Sequence, residues 1–520
     1  QLARVRTLPG RGPARRDRAA LARRSADRRR AALNRSAVGA SRSSAGGRAR
    51  GGRGDTGAFS GHRAAKTPGP LRGSALAYLS LFTVLRPGPG PSSTHTAGPW
   101  LAARQFVHDL SAGGQMASVA RLGVELYGGA ACVGREARAD GAVVAGLSGV
   151  DRAASDAAGI AALVGDATKR RALRLDGRHP VRFDPGDDIG FRVDRALAFG
   201  GSAVRFAAFD AAGSIVADHV YVPVGDDEIA GAGDAAIRRR PPRVPYDYAP
   251  SADALIEACR AAGGRRIALV ALANEAALLS PGEVRGRLVA VAEAMRGSVR
   301  RGCLRTDALP SGRKRVAPTL AETLDARTAT GPQRCRVYAL AAAEENASGG
   351  LAVASPSNGA AGVVAALLEH ALEREDLPDD AEIDFLATAG AIGALLRRAG
   401  LKQVGCQGEV GVAAAMAAAG MASAMGATPA QALHAAELAL EPHLGLACDP
   451  VAGRIESPCI ERNGLAAARA CAAATSAIRV PEPRVALDAV VRSMVETARG
   501  LAGRYKQASL GGVALSVPDC

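Results

Sequence analysis

The sequence predicts an α+β domain followed by a larger, mainly α-helical domain, behind a disordered N-terminal extension. Short strand-like pieces fill positions 122–224, whereas helical segments dominate from Ser251 onward. Aromatic residues make up only 3 % of the chain, so Ala, Val and Leu must fill the core, which favours close helix packing. The formal charge of +16 sits at one end. Residues 1–75 hold 19 Lys and Arg against 3 Asp, and the rest is balanced at 47 basic and 47 acidic side chains.

The extension, residues 1–75, is rich in Arg, Gly, Ser and Ala without an apolar period. It buries too little apolar surface to offset its ordering entropy. Three readings stay open: an Arg-rich, acid-poor transit peptide, a nucleic-acid-binding tail, or translation from upstream of the true start, the reading favoured here because the chain opens on Gln. In none of them does this segment carry the chemistry, and the balanced folded part is not expected to bind nucleic acid. An α+β domain spans 76–228, with a helix over 100–110, strands at 122–128, 142–147, 180–185, 202–210 and 215–224, and a helix at 152–163. A Gly-, Arg- and Pro-rich linker covers 229–250. The α-helical domain occupies 251–520, with helices at 251–263, 281–299, 318–328, 335–346, 360–374, 380–399, 409–425, 428–440, 463–479 and 485–505. The Ala-rich runs at 411–426 and 465–478 are broken by Gly, Arg or Ser and lack the long Leu/Ile/Phe stretch a bilayer requires, so no membrane partner is expected. Nine cysteines in no even, dense framework point to a reduced, cytoplasmic setting with metal-binding or catalytic thiols.

The stretch GCQGEVGVAAAMAAAG, residues 405–420, places a thiol directly ahead of a helix that must be packed on all sides. Cys406 shares its setting with Cys448 in LGLACDPVAG and Cys459 in ESPCIERNG; each adjoins a helix and is bracketed by Gly, Pro or charge. The absence of a CxxC pair argues against a zinc ribbon or a ferredoxin-like cluster. Three thiols from three loops would leave one coordination position for substrate, the mark of a catalytic metal site. A lone cysteine is otherwise a small buried hydrophobe, the reading given to Cys132, Cys259, Cys303, Cys335 and Cys471. In GPSSTHTAGP, Ser92, Ser93, Thr94 and Thr96 flank His95 after a Pro/Gly turn. They can bind a carboxylate, or His95 can move a proton; helix capping would occupy only one or two of these groups. Ser357, Asn358 and Gly359 precede a helix whose N-terminal amides favour an anion, with capping as the alternative. Gln407 and Glu409 can orient the thiol loop or meet an ammonium. His443, Asp449, Glu461 and Arg462 are comparable supports, or ordinary ion pairs and caps.

GPSSTHTAGP (90–99), EENASGGLAVASPSNGAAG (344–362), GCQGEVGVA (405–413), GLACDPVAG (445–453), PCIERN (458–463) and GGVALSVPDC (511–520) together resemble the iron–sulfur-dependent L-serine dehydratases. The resemblance runs in order from about Leu76 to Cys520. It implies a [4Fe–4S] cluster on Cys406, Cys448 and Cys459, with the terminal Cys520 near an iron that lacks a permanent cysteine ligand. It further implies dehydration and deamination of serine to pyruvate and ammonia, in amino-acid degradation and gluconeogenesis. The open iron would act as Lewis acid toward the departing hydroxyl in place of pyridoxal phosphate, for which no Lys-centred motif is found. His95, Ser93, Thr96 and Cys520 are the expected catalytic groups; Ser92, Thr94, Ser357, Asn358, Gly359, Gln407 and Glu409 are the expected substrate contacts. The first domain resembles the small domain of some phosphoglycerate dehydrogenases, which implies a homodimer. The match departs at EARAD: Ala137, Arg138 and Ala139 stand where the family carries a His-rich turn, and only Asp140 remains. Pro442 in place of a usual His and Ala447 in place of Thr are smaller departures. These departures leave threonine or another small β-hydroxy amino acid, or a catalytically impaired cluster-bearing homologue, as alternatives.

Overall fold

The computed structural model describes residues 78–132, 134–193, 203–223, 229–231, 243–248, 251–325, 327–400, 405–480, 485–505 and 511–517. The extension 1–75 and Cys520 lie outside them. Gly73–Cys520 is one compact unit with two main hydrophobic cores.

The first described residues join the helical core instead of the sheet. Tyr78, Leu81, Val84 and Leu85 are buried there, because the Glu275 carboxylate accepts hydrogen bonds from Tyr78 Oη (2.9 Å), Ser80 Oγ (2.8 Å) and Leu81 N (2.8 Å). Strand β1 (Arg86–Pro89) then pairs antiparallel with Leu351–Ala354, Arg86 facing Ala354. The chain crosses into the sheet domain through α1 (Gly98–Ala112), whose Pro99 occupies a first-turn position that needs no N–H.

Next come β2 (Arg121–Tyr127), α2 (Ala139–Leu147), α3 (Ala157–Arg170), β3 (Ala172–Leu175), β4 (His179–Arg182), β5 (Ile189–Arg192), β6 (Ala203–Phe209), β7 (Ile215–Pro223) and β8 (Ile229–Gly231); helices of seven residues or more are numbered. The sheet order is β3-β4-β2-β6-β7-β8, with β5 also on β2. Phe106 of α1 stacks on Phe206 of β6 at 5.0 Å between ring centroids. The expected strand at 142–147 is a helix. AVVAGL is a continuous apolar run that periodicity cannot assign, and as α2 it is buried all round between α1 and the sheet. The expected helix at 152–163 begins later, at Ala157, capped by Asp156 Oδ1 on Gly159 N at 2.8 Å.

The helical part comprises α4 (Ala252–Ala261), α5 (Ile267–Glu275), α6 (Pro281–Leu304), α7 (Ala317–Thr323), α8 (Gly331–Ala347), β9 (Leu351–Ala354), α9 (Ala361–Leu372), α10 (Ala381–Arg398), α11 (Val410–Ala424), α12 (Pro429–Leu440), α13 (Cys459–Arg479) and α14 (Leu487–Gly500). Every residue of α11 is buried. Its neighbours are α9, α10, α12 and α13, and its Ala surface lets them come close on every side. α5 was not expected, and α13 starts four residues before the expected 463, at Cys459 itself.

Candidate active site

Cys406 opens a 3-10 turn, Cys406–Gly408, just before α11. Gly405 has φ of 81°, and a Cβ there would lie 2.9 Å from Leu446 O. Both conditions demand glycine and bring the turn against the loop that carries Cys448. Gln407 fastens this contact: it is fully buried, its N–H reaches Leu446 O (3.3 Å), and its carboxamide oxygen accepts from Gly445 N (2.9 Å). Cys448 is anchored by its N–H on Tyr505 O at 2.8 Å. Cys459 lies in the first turn of α13, after the cis Ser457–Pro458 bond.

The three thiols sense one another. The Cys448 thiol is pushed far up, first by its hydrogen bond with Cys406 and then by burial. Burial, reinforced by Cys406 and Glu409, pushes the Cys459 thiol well up. Arg462 is the nearby cation. Its Nη1 donates to Ala447 O (2.9 Å) and lies 3.4 Å from Cys406 Sγ, while Nη2 meets Asp449 Oδ1 at 2.8 Å. Asp449 Oδ2 in turn accepts from Val513 N at 2.9 Å, tying the C-terminal segment to this loop. Thiols that resist ionisation, as those of Cys448 and Cys459 do, gain the missing positive charge when they ligate a metal, so the donor set fits a thiolate-bound group.

A hydrogen-bonded chain joins the thiols to the other motifs. Asn463 Nδ2 donates to Cys459 O and Gly359 O, both at 2.8 Å, and its Oδ1 accepts from Gly362 N at 3.0 Å. Ser357 Oγ donates to Glu409 Oε2 at 3.0 Å, and that oxygen lies 2.5 Å from where a Cβ on Gly359 would stand, so any larger residue displaces the carboxylate. Asn358 Nδ2 donates to Asn346 Oδ1 (2.7 Å), and Asn346 Nδ2 to Pro91 O (3.1 Å), beside Ser92. The expected residues Ser357, Asn358, Gly359, Glu409 and Cys459 therefore meet in one network, which reaches the expected Ser92 through its neighbour Pro91.

Asn346 and Asn463, 1 % exposed each, were missed as site residues. Their signal was the EENASGG and PCIERN motifs, in which a buried amide offers donor and acceptor together.

Ser92 caps the π-helical turn Ser93–Ala97, its Oγ accepting from His95 N at 3.1 Å and lying 3.4 Å from His95 Nδ1. Desolvation lowers the His95 imidazole to about 4, leaving it neutral at pH 7. Thr96 Oγ1 donates to Ala137 O at 2.7 Å. The EARAD turn thus abuts this motif, and Glu136 Oε2 accepts from Arg454 Nε at 2.8 Å. The side chains of Ser93 and Thr94, like Cys520, lie outside the described part. His443 is buried with Nδ1 2.9 Å from Ala439 O, and Glu461 forms an exposed ion pair with Arg313 at 2.7 Å.

A second group forms elsewhere. The ligating atoms of Cys335, His370 and Cys471 all lie within 4.8 Å of one another, so this group could hold a metal ion. The two cysteines are buried, as expected, but they do not act as isolated hydrophobes.

The family model described as serine dehydratase beta chain matches residues 80–232, and that of the serine dehydratase alpha chain matches residues 261–514. L-serine dehydratase 2 of Escherichia coli (strain K12) is 38 % identical over 462 residues, covering 85 % of this chain and 100 % of that protein. The chain belongs to the serine dehydratase family. Two further serine dehydratase relatives align over nearly their whole length. L-serine dehydratase of Streptomyces coelicolor is 36 % identical, covering 85 % of this chain and 100 % of its own. L-serine dehydratase 1 of Escherichia coli (strain K12) is 37 % identical, covering 84 % and 99 %. Here the beta- and alpha-chain regions lie in one polypeptide. No helix among the described residues is long and apolar enough to cross a membrane.

Proposed function

We propose that this chain is an L-serine dehydratase that converts L-serine to pyruvate and ammonia, with a [4Fe–4S] cluster held by Cys406, Cys448 and Cys459. The observation that carries the reading is the single buried network joining three interacting thiols to the Ser92, Asn358 and Glu409 motifs. When bound, the cluster would supply a Lewis-acidic iron that stabilises the departing hydroxyl oxygen. The substrate carboxylate would lie at the N-terminal end of α9, near Ser357 and Asn358, where backbone amides favour an anion. Glu409, held by Ser357, would face the ammonium. His95, neutral at pH 7, can accept a proton at its ring, and its spacing from Ser92 Oγ fixes the ring's direction. Loss of the α-proton and of hydroxide gives an enamine, which tautomerises and hydrolyses to pyruvate and ammonium. Cys520, Ser93 and Thr94 belong to this proposed site, which works without pyridoxal phosphate in a cytoplasmic homodimer.

The test is anaerobic reconstitution of the chain with iron and sulfide, followed by a pyruvate assay on L-serine. Brown protein that makes pyruvate is the expected result, with C406S, C448S and C459S colourless. Brown protein inactive on serine but active on threonine would move the substrate. Brown protein inactive on both would make the EARAD turn the mark of a non-catalytic homologue. Colourless wild-type protein would overturn the ligand assignment.

A further inference from the structure

We propose that Cys335, His370 and Cys471 form a second metal site, one that takes a single soft divalent cation of the zinc type and clamps three helices together away from the cluster thiols. Cys335 lies on α8, His370 on α9 and Cys471 on α13. Their ligand atoms lie within 4.8 Å of one another. Zinc binds sulfur at about 2.3 Å and imidazole nitrogen at about 2.0 Å, which sets ligand atoms roughly 3.5–4 Å apart around a tetrahedron. A modest contraction closes the site on one ion. The set Cys2His is zinc chemistry, and two thiolates with a neutral imidazole cancel the charge of a dication in a buried place.

The imidazole is oriented for this role. A Cβ on Gly331 would lie 2.8 Å from His370 Nε2 and 3.0 Å from Cys471 Sγ. Nε2 and the thiol therefore converge on the first turn of α8, where glycine leaves room. The other nitrogen, Nδ1, is buried without a hydrogen bond and lies 3.8 Å from Glu373 Oε2. Glu373 is itself held by Tyr338 Oη. A carboxylate behind the distal nitrogen is the usual support of a metal-bound histidine. Three protein ligands leave the fourth tetrahedral corner to water.

Asn346 lies in the last turn of α8, Asn358–Gly359 in the turn just before α9, and Cys459 at the start of α13. Cys471 is a little over three turns beyond Cys459 on α13, roughly 18 Å along the axis at 1.5 Å per residue. The two sites are therefore distinct, and this inference stands whatever the substrate. An ion joining α8 and α9 near one end and α13 at mid-length restrains their packing, and with it the alignment of the network that includes Asn346, Asn358 and Cys459.

The experiment measures zinc by elemental mass spectrometry, and Co2+ binding by thiolate-to-metal charge-transfer absorption, in full-length protein purified anaerobically after a chelator wash. The wild type and the cluster-ligand double variant C406S/C459S should each retain one zinc per chain. C471S and H370Q should lose it while keeping the wild-type far-UV circular dichroism. E373Q should keep the site but bind Co2+ about tenfold more weakly. Zinc absent from both the wild type and C406S/C459S would overturn the proposal, as would zinc retained in H370Q. A Cys335–Cys471 disulfide in metal-free protein, read as a loss of two mass units, would also overturn it and make the pair a redox couple. The first two proteins need no change in the triad, so the result does not depend on whether the triad variants fold.

Discussion

Asn463 serves three backbone groups with one side chain, and among them Gly362 N lies in the first turn of α9, where an N–H has no acceptor one turn back in its own helix. An unsatisfied buried polar group costs about 1–3 kcal/mol. Asn463→Ala should therefore lower stability by about 1–3 kcal/mol and loosen Cys459. The measurements are urea midpoint and iron content, and an unchanged midpoint would refute the network's role. His95 makes a pH prediction. Its ring titrates near 4 in the folded chain against 6.5 ordinarily, so between these values the unfolded chain binds more protons. Stability should be level above pH 6.5 and fall as the pH drops toward 4. His95→Gln should flatten that slope in melting temperature measured from pH 4 to 7. At this scale the sequence was informative where a residue announces its chemistry: three cysteines bracketed by Gly, Pro or charge, and hydroxyls around a histidine. Asn346 and Asn463 were marked only by lying in the EENASGG and PCIERN motifs, because an asparagine's importance depends on whether both ends of its amide are buried.

At the scale of elements, α11 shows what low aromatic content accomplishes. Its fifteen residues are all buried, so adjacent helices contact it through small side chains. Ala419→Leu would insert bulk where there is no void, costing about 1–3 kcal/mol by overpacking; a denaturation curve superimposable on the wild type would count against this. The turn before it is stricter. Gly405→Ala combines φ of 81° with a Cβ contact of 2.9 Å to Leu446 O, and should separate Cys406 from Cys448. The expected outcome is loss of the reconstituted brown colour with the helical circular dichroism retained. Helices with capping signals were legible to within a few residues, among them α6 behind Ser280 and α12 behind Thr428. AVVAGL was not, since six apolar residues suit a strand or a helix equally, and the sheet beneath α2 decides between them.

For the whole molecule, the extension 1–75 holds the entire charge excess, while the described hydrogen-bonded network that reaches the thiols begins at Pro91. Deleting residues 1–75 should leave serine turnover unchanged in the pyruvate assay; loss of activity would place the extension within the working enzyme. The sequence by itself determined the class of fold, the order of its two parts and the identity of the thiol, hydroxyl and carboxylate groups, because these reside in composition, local periodicity and short motifs. Only the tertiary structure decided that residues 78–89 pack with the helical domain, through Glu275 and β9, and that the EARAD turn touches Thr96. It alone brought Cys335, His370 and Cys471 together from three helices. Their separations in the chain, 35 and 101 residues, carry no pattern; contacts of that range are set by how helices pack, which no local window of sequence contains.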